Sequence, residues 1–117
     1  MGYLRHECIV VSGWSAERVL LAHAAATGIF DKHHIGSLVG GLTQHAINGG
    51  AAFLIAPDGS KEGWESSETG TKARAEFVAW LRSKQEFYGV DFALLVMGGD
   101  DGEFVVTDHT AREPEEV

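Results

Sequence analysis

The side chains in this 117-residue chain best suited to chemistry are six histidines, one cysteine and a carboxylate run at Gly98 to Gly102, with Glu103 beside it. His6, His23, His33, His34, His45 and His109 form neither HExxH nor a paired Cys/His zinc spacing. His33 and His34 are adjacent and would point apart on a regular element. A metal site would need His6, His45 or His109 to converge with a carboxylate. A two-histidine phosphoesterase needs two His-x-Ser/Thr motifs, and His109-Thr110 misses that spacing by one. Cys8 lies in IVV-rich sequence, where a buried and inert thiol is expected. Ser12, Ser15 and Ser37 have capping or turn roles, and no G-x-S-x-G elbow exists. The glycines of GSLVGG and NGG match neither phosphate-loop pattern. Asp100, Asp101 and Glu103 miss the calcium-loop spacing and read as an exposed hairpin turn. Neither a catalytic residue nor a cofactor or metal is therefore expected.

A second set of residues suits binding rather than turnover. Arg5, His6, Trp14, Arg18, Lys61 and Trp64 fall near the ends of expected strands and helices. An indole stacks on a base, Arg and Lys bind phosphate, and helix N-termini favour anions. Together these six residues would trap a nucleotide-like ligand. Trp14 has a competing structural role: with Val19 it has the spacing of a hydrophobic staple. Trp64 sits in the polar stretch APDGSKEGWESSETG and is equally a lid on the core edge.

The elements that must position these residues are legible from periodicity. Arg5 to Ser12 is β-branched and alternates His6, Cys8 and Val10 against Glu7, Ile9 and Val11. A helix follows, capped by Ser15, with Val19, His23, Ala26 and Phe30 on one stripe and Gly28 near its end. His23 is expected at the edge of the core with one hydrogen bond. Strands are expected over Ser37–Ile47 and Gly50–Ala56, joined at Asn48-Gly49, a pair suited to positive φ. Gly40 and Gly41 mark a bulge or a close backbone approach. Thr71 to Phe87 is an amphipathic helix burying Ala73, Phe77, Trp80 and Leu81, with Ser67 to Thr71 as caps and Arg82 facing Glu86. DFALLVMG is apolar on both faces, as in a strand covered on both sides. EFVVTDH is a last strand, and 111–117 is an acidic flexible tail after a single domain over 1–110. The order strand, helix, hairpin, helix, strand, strand describes a ferredoxin-like α+β sandwich. Two helices lie on one face of an antiparallel sheet, with an extra C-terminal strand.

Charge narrows the partners. The net charge is −8, and residues 86–117 carry nine acids against Arg112 alone, so the last third holds the whole excess. That field repels a phosphate backbone and disfavours general nucleic-acid binding. It suits a basic protein surface, so an inhibitor acting through residues 86–117, with Asp100, Asp101 and Glu103 foremost, is one alternative. A small histidine- and carboxylate-dependent hydrolase is another. A lone cysteine fits a reducing cytosol, and no apolar run approaches the ~20 residues of a membrane span. No signal peptide is expected either. The glycine-bearing hairpin offers an edge for a homo-oligomer.

The stretches GYLRHECIVVSGW, PDGSKEGWESSE and RAEFVAWLR resemble short uncharacterised proteins encoded by tailed bacteriophages and prophages. The resemblance covers about a third of the chain. It implies a phage accessory protein acting in the host cytosol, by blocking a host defence protein or trapping its signal molecule. It implies no site residue.

Overall fold

The computed structural model describes residues 5–59, 65–83, 90–98 and 103–110. Its elements are β1 (Arg5–Gly13), α1 (Ala16–Lys32), a 3₁₀ turn (Gly36–Leu38), β2 (Thr43–Gln44), β3 (Ala51–Ile55), α2 (Glu65–Ser83), β4 (Val90–Gly98) and β5 (Glu103–His109). The sheet order is β2-β3-β1-β4-β5 and every pairing is antiparallel. This is the ferredoxin-like arrangement, extended by β5 alongside β4.

The alternation in β1 decides which face is buried. Ile9 and Val11 point toward the helices and are fully buried, with Phe53 and Ile55 of β3 and Phe92 of β4 on the same side. Val19, Ala22, Ala26 and Phe30 of α1 and Ala73, Phe77 and Val78 of α2 complete this core. A line of rings crosses it: His23 meets Phe53 edge-on at 4.9 Å, Phe53 lies 6.3 Å from Phe77, and Phe77 stacks on Trp80. His23 Nε2 donates to the Gly40 carbonyl at 2.8 Å, which is the single edge-of-core bond expected of it.

Several boundaries differ from the sequence expectation, each for a local reason. Gly28 does not end α1. The helix runs on to Lys32, and His34 turns the chain with φ 64° while its N–H bonds to Asp31 O. The strand expected over Ser37–Ile47 shrinks to Thr43–Gln44 plus one bridge from Val39 to Ile55. Gly40 N–H bonds Leu54 O at 2.8 Å, and a Cβ on Gly40 would lie 2.9 Å from that oxygen. The chain thus approaches β3 there as bare backbone rather than as a ladder. Asn48 and Gly49 do adopt positive φ, 70° each, but within a loop closed by His45 N–H to Gly50 O rather than a two-residue hairpin.

α2 starts six residues before the expected Thr71, so Ser67 to Thr71 lie inside the helix rather than capping it. Gly70 misleads here. It is a packing glycine, because a Cβ would stand 2.1 Å from Asp58 Oδ2 and 3.1 Å from Arg74 Nη1. Arg82, read as a partner for Glu86, pairs with Asp108 of β5 and lies over the Phe92 ring at 5.6 Å. Glu86 itself lies outside the described residues. β5 carries a bulge: Leu94 pairs with Asp108 and Leu95 with Val106, leaving Thr107 extra. β4 is covered on one face only. Phe92 and Val96 are buried, whereas Ala93, Leu95 and Met97 on the other face are half-buried.

Candidate functional site

β1 sets the scale of any site. Arg5 and His6 open the strand, and Trp14 follows its end at Gly13. At ~3.3 Å per residue that places His6 roughly 25 Å from Trp14. The six residues expected to share a ligand therefore divide. Trp14 and Arg18 come together, Arg5 and His6 lie at the opposite end of the sheet, and Lys61 and Trp64 lie outside the described residues. Asp100 and Asp101 also lie outside them, and Glu103 opens β5 opposite Gly98.

The Trp14 corner is built by three segments. Ser15 caps α1, its Oγ accepting from Arg18 N–H at 3.4 Å, which fixes the helix start at Ala16, two residues beyond Trp14. The loop after β2 docks on this start: Gly49 O accepts from Ala16 N–H at 3.0 Å. Two large apolar side chains are left in solvent, Trp14 at 62% exposure and Ile47 at 72%. Trp14 is mostly in solvent while Val19 is fully buried, and the Arg18 guanidinium lies 5.8 Å from the Trp14 ring centroid. An exposed indole next to a cation and the first turn of a helix is a surface for a flat, anionic group.

Beside this corner the fold makes a pair that sequence reading missed. Ser12 Oγ lies 3.3 Å from His45 Nε2, across 33 positions of sequence. Asp91 on β4 is the register partner of Ser12. Alternation alone puts Ser12 on the sheet face away from the helices. Only the loop bringing His45 back to Gly50 sets the histidine over it.

Several other described titratable groups sit in structural contacts. Arg74 is 5% exposed beneath α2. Its Nη1 bonds Asp58 Oδ2 at 3.3 Å and its Nη2 bonds Thr71 Oγ1 at 3.4 Å. Its Nε is 3.0 Å from Glu7 Oε2 but too poorly aligned for a hydrogen bond, so that contact is electrostatic. Cys8 is buried, and burial pushes its thiol above the ordinary value, more than the opposing field of Arg74 lowers it. That matches the inert thiol expected. Glu76 of α2 receives Lys32 Nζ and His33 Nε2 from the end of α1, and these hydrogen bonds, Lys32's first, hold its pKa below the ordinary carboxylate value. His109 Nδ1 contacts Thr110 O at 2.9 Å. His6, His45 and His109 do not gather, and among the described residues no three metal-ligating side chains cluster.

No helix among the described residues is long and apolar enough to cross a membrane. Comparison with family models, curated proteins and solved structures finds no match to this chain.

Proposed function

We propose that the chain is a non-enzymatic binding protein that sequesters a small nucleotide-like ligand at the corner formed by Trp14, Arg18 and the first turn of α1. The observation that carries this reading is the exposed Trp14 ring with the Arg18 guanidinium 5.8 Å from its centroid. A base would stack on the indole, and a phosphate would sit between Arg18 and the helix start. The phage-protein resemblance supports a role in the host cytosol, with a defence signal molecule as the ligand or a host defence protein as the target. Calorimetric titration with a panel of mononucleotides and cyclic dinucleotides tests it. Wild type should bind one of them, and Trp14→Ala and Arg18→Ala should each weaken binding by tenfold or more, about 1.4 kcal/mol. Equal affinity in the three proteins would refute the site.

The Ser12–His45 pair favours a second reading, a small histidine-dependent hydrolase. Its geometry is that of a nucleophile and base waiting for a substrate. Activated-ester hydrolysis lost in both Ser12→Ala and His45→Ala would replace the first reading by this one.

A further inference from the structure

Among the described residues, the sheet face away from the helices is apolar and partly in water, with Cys8 buried and Ala93 and Leu95 half-buried on it. Two cross-strand rows lie side by side on it. One runs Leu54, Val10 and Ala93; the other runs Cys8, Leu95 and Val106. Leu54, Val10 and Val106 are 45%, 38% and 48% exposed. β4 has the sequence of a strand buried on both faces, yet among its described residues only Phe92 and Val96, both on the helix face, are buried. Exposed aliphatic side chains gathered on one face and rimmed by polar residues often mark an interaction site.

We infer that this face is the dimer interface of the protein, packed sheet to sheet against a second copy of the same chain. Three observations select a second copy. The first is area. Strands ~4.8 Å apart and ~3.3 Å per residue give the four strands β3, β1, β4 and β5 a flat footprint of roughly 500 Å². Two such faces bury about 1,000 Å², more once side-chain relief is counted, which reaches the range of specific interfaces. The second is charge. Two chains of −8 each repel, so they can meet only where acids are absent. Neither row contains a charged residue, and the described acid on this face, Asp91, lies at its end beside Ser12. A basic foreign partner would find nothing to pair with there. The third is chemistry. A face of Val, Leu and Ala with histidines at its margins, His6 and His109, has the apolar centre and polar rim of a homodimer interface. A two-fold axis through the Val10 region would set the rows of each copy against those of the other, with the sheets ~10 Å apart.

Sedimentation velocity of the full chain at tens of micromolar tests this. Wild type should sediment at twice the 12.6 kDa of one chain. Leu54→Glu and Val106→Glu, both at sites already half in water, should sediment at half the wild-type mass with an unchanged far-ultraviolet dichroism spectrum. Leu20→Glu, at a half-exposed site on α1 on the opposite side of the sheet, should stay at the wild-type mass. A monomeric wild type, a dimer that survives both Leu54→Glu and Val106→Glu, or a dimer lost in Leu20→Glu would each overturn the inference.

Discussion

Arg74 Nη1 meets Asp58 Oδ2 at 3.3 Å directly above the bare backbone of Gly70. The ion pair joins α2 to the segment leaving β3, and it exists because position 70 has no side chain. Its effect on the helix is opposite to that of a mid-helix glycine with no such neighbour.

Gly70→Ala and Gly28→Ala should therefore differ in sign. Both positions are helical, where alanine gains up to about 1 kcal/mol over glycine. Nothing lies within 4 Å of a Cβ at Gly28, so that change should stabilise by about 0.5–1 kcal/mol. At Gly70 the new methyl displaces the Asp58 carboxylate and strands a buried guanidinium. The net loss should be about 1–3 kcal/mol. Urea denaturation measures both; equal shifts would show that Gly70 is not a packing residue.

The Glu76 contact should make stability depend on pH in the acid range. Its pKa in the folded chain is below the ordinary 4.5, because Lys32 and His33 hydrogen-bond the charged form. That stabilisation is present above the unfolded value and is lost as pH falls through the lower folded value. Glu76→Gln mimics the protonated acid. Its urea midpoint should fall below wild type at neutral pH, and the gap should close once pH drops under 4.5. A gap that stays constant or widens in acid contradicts this sign.

His23 should hold the bare-backbone segment beside β3. Its Nε2–H is the donor to Gly40 O, so His23→Leu keeps the apolar volume against Phe53 and removes the donor. The expected cost is about 1–2 kcal/mol. Amide exchange should quicken at residues 36–42 and stay slow in the sheet. Uniform acceleration throughout the chain would mean that His23 supports the core as a whole rather than this segment.

What could be read beforehand follows from how local each signal is. Ser15 as a cap, the alternation of β1, the apolar stripe of α1 and the order of elements all act within a few residues, and together they specify the ferredoxin-like topology. The start of α2 is misread where Gly70 serves a distant neighbour, Asp58, whereas the close backbone approach expected at Gly40 or Gly41 is the contact of Gly40 with Leu54 O. The candidate site divides in the same way. Trp14 and Arg18 are four apart and visible together, with most of the Trp14 ring in solvent. Ser12–His45 and the Glu7–Arg74–Asp58 network join residues from separate elements, so no spacing announces them.

The central claim is that the Trp14 corner holds a small ligand, and native mass spectrometry of the full chain taken from cells tests it most directly. Wild type should retain an adduct of nucleotide mass. Trp14→Ala, which removes a ring already 62% exposed and should leave the fold intact, should lose it. No adduct on wild type, or the same adduct on Trp14→Ala, would contradict the account.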